Sequence, residues 1–305
     1  MILFTASVKP RFRYLPGRST AKDEVSVKKS FVSIGLALLL ITSGVAVAGQ
    51  LTADQKIDRV GKLLKSLETK DPTSLAYVDS KRYTQHNLAV EDGPRGVRSL
   101  VLHPPAGTTV HTVRIFADGD YVVAQSDYFF DGPKVGFDVF RFDGDKIVEH
   151  WDNLQQKCAM PNQSGRTQLD GPTKVTDRGA TEANKSLMKG YFTDVVLGGQ
   201  GNKVAQYRSL DNFHQHNCDG EDNKSGFQNK SGIFAKPGFV FKFTKVHKIL
   251  GQGNFVLVMS EGLFDAKPTA FYDLYRIENG KQVEHWDVLE TIPPSDQWKN
   301  RNGKF

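Results

Sequence analysis

Behind Thr52, apolar residues recur at helical spacing: Ile57, Val60, Leu63, Leu64 and Leu67. A threonine ahead of such a run is a good helix N-cap, and Asp71-Pro72 stops the run, so the spacing predicts a helix between them. A second run, Leu187, Tyr191, Phe192, Val195 and Val196, follows Thr181 as predicted cap and ends at Gly198-Gly199. Short helical or irregular segments come next in each case. Stretches of β character between turn signals then follow, at 110–116, 121–130, 135–142 and 147–154, and again at 239–250, 255–263, 270–277 and 282–289. Helices first and antiparallel strands last is an α+β order.

The two series share more than their order. Tyr83-Thr84-Gln85-His86-Asn87 recurs as Phe213-His214-Gln215-His216-Asn217 at an offset of 130, and Glu91-Asp92 recurs as Glu221-Asp222 at the same offset. Phe137-Asp138-Val139-Phe140-Arg141 recurs as Tyr272-Asp273-Leu274-Tyr275-Arg276, and Glu149-His150-Trp151-Asp152 recurs unchanged as Glu284-His285-Trp286-Asp287, both at an offset of 135. Four matches in one order, with a net insertion of five residues, indicate a duplication. The expected plan is a leader (1–49), a first domain (50–157), a linker rich in Gly, Pro, Asn, Gln and Thr (158–179), a second domain (180–293) and a polar tail (294–305).

Charge changes this picture only at the leader. Of the formal net charge of +6 over 305 residues, +5 lies within residues 1–48, where seven basic residues face two acidic ones. The remainder is nearly neutral and has no basic stripe to track phosphates, so a nucleic-acid partner is not expected. Lys28 and Lys29, the uncharged run from Phe31 to Val45 and Ala46-Val47-Ala48 read as a secretory signal, with cleavage before Gly49 or Gln50 and an uncleaved membrane anchor as the alternative. Residues 1–26 fit neither signal nor domain, which points to translation starting near Val27. A secreted or periplasmic protein is expected, with no membrane attachment after cleavage. Export leaves Cys158 and Cys218 free to form one bridge or to remain two thiols, and their spacing does not decide between these.

The candidate chemistry lies on the last two strands of each series. Taking Glu278-Asn279-Gly280-Lys281 as a three-residue hairpin loop, with Gly280 left-handed, opposes Ile277 to Lys281 and pairs Asp273 with His285. His285 and Asp287 are two apart and share a face, so Asp273, His285 and Asp287 gather there, as do Asp138, His150 and Asp152. Phe140, Phe142 and Val148 are the expected face-mates, with Tyr275, Ile277 and Val283 in the second series. A two-residue turn breaks the pairing of Asp138 with His150 but leaves His150 beside Asp152. Carboxylates around an imidazole on an apolar wall are a means of tuning a proton donor or acceptor, and the alternative is a solvated hydrogen-bonding face. Gln85, His86, Asn87, Gln215, His216 and Asn217 are expected to face this wall across a cavity and bind a substrate oxygen, with Tyr83 and Phe213 as aromatic lining. The alternative for them is a turn whose amides satisfy backbone groups. His214, His216 and Cys218 alternate as metal ligands do, but only His216 has a histidine counterpart, so no metal is assigned. No nucleotide or flavin motif is present, and no cofactor is expected. Trp151 and Trp286 fall on the opposite face with Val139, Glu149 and Leu274.

Tyr-x-Gln-His-Asn, an acidic-Gly stretch, Phe-Asp-Val-Phe-Arg-Phe, a turn and Ile-Val-Glu-His-Trp-Asp together resemble the SnoaL-like group of the nuclear-transport-factor-2-like superfamily. The resemblance spans residues 50–157 and 180–292. It implies two cones, each with helices closed over a curved antiparallel sheet and a pocket at one end. Polyketide cyclases, ketosteroid isomerase and scytalone dehydratase have similar folds and use a carboxylate or histidine on a carbon acid. The cyclases' acid/base Asp maps by motif position to Asp152 and Asp287. Where a cyclase has a histidine on the neighbouring strand, this chain has Asp138 and Asp273. The resemblance implies a cofactor-independent lyase, cyclase or isomerase acting on a small apolar carbonyl compound, with a non-catalytic binding module as the alternative. Single-domain members often dimerise through the outer sheet face, so the two copies are expected to form an intrachain pseudo-dimer and a monomeric chain.

Overall fold

The computed structural model describes residues 50–223 and 236–305; the predicted leader and signal segment lie outside them. The fold is α+β, with two five-stranded sheets. Helix α1 (Ala53–Thr69) is held at its start by a capping box: Thr52 Oγ1 accepts the Gln55 N–H, and the Gln55 side chain accepts the Thr52 N–H. Its buried stripe includes Val60, Leu63 and Leu64. Strand β1 (Thr84–Gln85), helix α2 (Gly93–Leu102) and strands β2 (Thr109–Asp118), β3 (Tyr121–Phe129), β4 (Pro133–Asp143) and β5 (Lys146–Gln156) complete the first half. The second half runs through α3 (Thr181–Tyr191), a π-helical turn (Phe192–Leu197), α4 (Val204–Tyr207), β6 (His214–Gln215), β7 (Phe241–Gln252), β8 (Phe255–Phe264), β9 (Lys267–Glu278) and β10 (Lys281–Thr291). The sheet orders correspond: β1-β5-β4-β3-β2 and β6-β10-β9-β8-β7. No helix among the described residues is long and apolar enough to cross a membrane.

Three local expectations are corrected. Thr181 opens α3 rather than capping it; its hydroxyl donates to Arg178 O and accepts the Gly253 N–H. The Gln-His-Asn triplets begin as two-residue strands parallel to β5 and β10, not as helical or irregular segments. The hairpin loop has two residues, because Asn279 and Gly280 both take positive φ (51° and 70°) and close the turn between Glu278 and Lys281. A bulge at Val283 then shifts the register once more, so Asp287 opposes Asp273, and His285 opposes Tyr275. The first half repeats this, with Asp138 opposite Asp152 and Phe140 opposite His150. The two one-residue changes cancel in parity, and each Asp-His-Asp set stays on one face. Val148 and Val283 sit in the bulges, and Ile147 and Gln282 take their places opposite Phe142 and Ile277.

Alternation along the strands separates two surfaces. Val122, Ala124, Tyr128, Phe140 and Phe142 pack under α1 and α2, and Val256, Val258, Phe271, Tyr275 and Ile277 pack under α3. The opposite faces pack on one another in a core that draws Val139, Trp151, Leu274 and Trp286 from both sheets. Hydrogen bonds cross this core: Asn153 Nδ2 donates to Ala270 O and Val288 O, both at 2.9 Å. Each tryptophan is sandwiched. His86 stacks on Trp151 at 4.8 Å and Lys248 Nζ lies 4.4 Å from that ring; His216 stacks on Trp286 at 4.7 Å with the Arg114 guanidinium at 4.1 Å. Arg114 is buried and donates to Leu169, Asp170 and Pro172 carbonyls, so the linker is packed structure rather than a free tether. Cys158 and Cys218 form a disulfide, with Cα atoms 6.0 Å apart, tying that segment to the second half.

Candidate functional site

In the first half, β1 places Gln85 beside His150 through the parallel pairing, and the His86 N–H donates to His150 O at 2.9 Å. The Gln85 Oε1 accepts the Asn87 N–H and also faces His150 Nδ1, both at 2.9 Å. An amide oxygen can only accept, so Nδ1 carries hydrogen. His150 Nε2 faces Asp138 Oδ1 at 3.1 Å. A neutral imidazole would present a lone pair to a carboxylate there, so one proton is shared across that contact. Asp138 Oδ2 accepts the Tyr128 hydroxyl at 2.6 Å, and Asp152 Oδ2 accepts Asn87 Nδ2 at 2.6 Å. Asp152 Oδ1 is buried without a hydrogen-bond partner.

These groups form the polar end of a cavity of about 420 Å³. Leu63, Leu67, Val97, Leu100, Phe130 and Phe140 supply apolar wall, and Tyr83, Gln85, Asn87, Asp138, His150 and Asp152 line it together with Tyr128. Burial, with Asp138 alongside, pushes the Tyr128 hydroxyl well above its ordinary range. Tyr128 lies outside both repeated motifs, so no pattern in the chain marks it. Its ring occupies space that only a glycine leaves free: a Cβ on Gly136 would meet Tyr128 Cε2 at 3.0 Å.

The second half repeats the frame and changes the chemistry. His285 Nδ1 faces Gln215 Oε1 and His285 Nε2 faces Asp273 Oδ1, both at 3.0 Å, while Asn217 Nδ2 donates to both Asp287 oxygens at 2.9 and 2.7 Å. Ala124 opposes Asp138 and Val258 opposes Asp273, so Gly262 stands where Tyr128 does, and Phe271 where Gly136 does. Asp273 Oδ2 consequently has no hydrogen-bond partner. Burial raises Asp273 to about 8 and Asp287 to about 6, and lowers His285 to about 4. The proton between Asp273 and His285 thus sits on the carboxyl group, which donates to Nε2. Phe213 replaces Tyr83, stacks over His285 at 6.5 Å and lies 4.0 Å from the Arg208 guanidinium.

Of the residues expected at the site, the structure brings together Asp138, His150, Asp152, Gln85, Asn87 and Tyr83, and in the second half Asp273, His285, Asp287, Gln215, Asn217 and Phe213. His86 and His216 do not face the cavity. Their rings point to the rear face, where His86 Nε2 meets Glu149 at 3.0 Å and His216 Nε2 meets Glu284 at 2.9 Å. Alternation along β1 and β6 dictates this, since each histidine follows an inward-facing glutamine. Cys218 is committed to the disulfide, so His214, His216 and Cys218 do not make a ligand set. In each Asp-His-Asp set one atom per residue lies within 4.8 Å of the others, a spacing that a cation could also bridge.

No protein-family model and no curated protein matches the chain. Solved structures do resemble it, each over little more than a third of the chain. An LEH-like epoxide hydrolase from Mycobacterium tuberculosis is 20% identical, with a TM-score of 0.30 over 34% of this chain and 84% of its own. A putative ketosteroid isomerase from Kribbella flavida is 16% identical, with a TM-score of 0.31 over 40% of this chain and 93% of its own. An NTF2-like protein of unknown function from Mesorhizobium loti is 17% identical, with a TM-score of 0.30 over 35% of this chain and 96% of its own.

Proposed function

We propose that the first half is a cofactor-independent acid/base catalyst acting on a small apolar carbonyl compound, in the manner of the cyclases and isomerases its motifs resemble. The observation that carries this reading is Asp152: a buried carboxylate with one oxygen held by Asn87 and the other free of hydrogen bonds at the end of an apolar cavity. Such an oxygen is placed to remove a proton from carbon next to a carbonyl and to return it at another position. His150 and Asp138 share a further proton beside it. Gln85 and Asn87 are already engaged with His150 and Asp152, so they hold the catalytic groups rather than the ligand's oxygen. That oxygen falls to Tyr83, which lines the same cavity.

The second half is not assigned this chemistry. It lacks the tyrosine, and its Asp273–His285 pair is neutral at neutral pH. The test is exchange of α-hydrogens into deuterated water, followed by NMR over a panel of apolar ketones. Asp152→Asn should slow exchange by about 10²–10⁴ with the circular dichroism unchanged. Asp287→Asn alone should change it little, and the double variant should match Asp152→Asn. Full exchange in the double variant would show that these carboxylates are not the base.

A further inference from the structure

The segments that follow the two sheets are exchanged. Residues after β5 cover the Gln-His-Asn loop of the second half: Asn162 Nδ2 donates to Gln215 O at 2.6 Å and Asn217 O at 3.1 Å, and the His216 ring meets Thr167 O at 2.7 Å. Residues after β10 do the same for the first half. Asn300 Nδ2 donates to Asn87 O at 2.7 Å, Asn302 Nδ2 donates to Gln85 O at 2.9 Å, and the His86 ring meets Gly303 O at 2.9 Å. The polar tail expected from its composition is therefore a built part of the first site's support.

The exchange is unequal in one respect. In the first crossing Arg166 forms a bidentate pair with Asp222. In the second, Lys304 enters the interior: it is 5% exposed, donates to Glu290 Oε2 at 2.8 Å and lies 3.7 Å from Asp152 Oδ1. Glu290 is itself fixed by the Leu154 N–H at 3.0 Å. A buried ammonium persists only among carboxylates, and a buried carboxylate without a cation gives up its charge. Among the described residues Lys304 is the Lys or Arg paired with Asp152, and Asp287 has no such pair.

We propose that Lys304, delivered from beyond the second sheet, is a positioning residue of the first site that keeps Asp152 a charged hydrogen-bond acceptor. This rests on the reading of Asp152 as the base. The chain therefore works as one unit, because the second half carries a residue that the first half's site needs.

Two probes separate the roles: 2-naphthol, whose hydroxyl can donate to Asp152, and naphthalene, which only fills the cavity. The wild type should bind 2-naphthol more tightly. Lys304→Met should weaken 2-naphthol about tenfold, as loss of a hydrogen bond to a charged group does, while leaving naphthalene within about twofold. Lys304→Arg should restore the preference. Unchanged 2-naphthol binding in Lys304→Met overturns the proposal while leaving the base intact. Loss of both probes in Lys304→Met and in Lys304→Arg makes the lysine a packing residue and overturns it too. Wild-type binding of 2-naphthol in Asp152→Asn, or of neither probe in the wild type, removes the underlying reading and the proposal with it.

Discussion

Asp273 shows how one missing hydroxyl changes a residue. Its counterpart Asp138 accepts the Tyr128 O–H, whereas Asp273 Oδ2 faces no donor and burial raises the group to about 8. A carboxyl group whose folded pKa is raised contributes its full stability below the unfolded value, and that stability is lost as pH rises through the folded value. Asp287, raised to about 6, has the same sign, and its effect is finished by about pH 6. His285, lowered from 6.5 to about 4, has the opposite sign: the unfolded chain takes the proton first, so stability is gained as pH rises between those values. From pH 6.5 to about 8 the slope from this site belongs to Asp273 alone. Stability there should fall by about 1.4 kcal/mol per pH unit from this group. Asp273→Asn, whose amide can donate to His285 Nε2 at any pH, should flatten that part of the profile. Urea midpoints taken across the window decide it, and an equally steep fall in the variant would place the titration elsewhere.

At the scale of elements, the corresponding glycines of the two sheets do different things. Tyr128 on β3 lies over Gly136 on β4, whereas Gly262 on β8 lies against the β7 backbone, where a Cβ would meet the Lys242 carbonyl, and Phe271 stands at the position of Gly136. A phenylalanine introduced at Gly136 meets the Tyr128 ring and the Asn153 carbonyl, the latter 3.3 Å from the new Cβ. Gly136→Phe should therefore cost about 1–3 kcal/mol. Adding Tyr128→Gly should cost less than the sum of the two single changes by about 1 kcal/mol or more, because the two positions share one volume. A double-mutant cycle in urea measures the coupling, and strict additivity would show that the rings do not compete.

For the whole molecule, the decisive surface is the rear of the sheets. An apolar sheet face left open invites association, and here each half covers the other. Trp151 and Trp286 are 2% and 0% exposed, with a cation on each ring from the opposite half. The chain should sediment as a monomer in analytical ultracentrifugation at micromolar concentration. Trp286→Glu should uncover both faces and give concentration-dependent dimers or larger species. A monomeric variant with unchanged protease resistance in residues 158–179 would show that the tryptophans do not hold the halves together.

The repeated motifs, the helix and strand order and the inward set of Asp138, His150 and Asp152 were legible in the chain, because side-chain alternation and motif offsets are local properties. Even a wrong loop length left that set intact, since the two-residue turn and the bulge at Val148 shift the register by equal steps. The facing of His86 was not legible, because it depends on a two-residue strand formed only by pairing with β5. Tyr128 was hidden for a related reason: a lone aromatic in a strand gains its role from the aspartate across the sheet. Cys158 and Cys218 were equally compatible with a bridge or with free thiols until the crossing segment brought them together. Lys304 stood in a polar tail that no local pattern tied to the first half, and only the exchange of segments across the paired sheets brought it to Asp152. Sequence determines which residues share a face, through the two-residue period of a strand; tertiary structure decides which faces and segments from distant parts of the chain meet, because those contacts depend on how whole sheets pack.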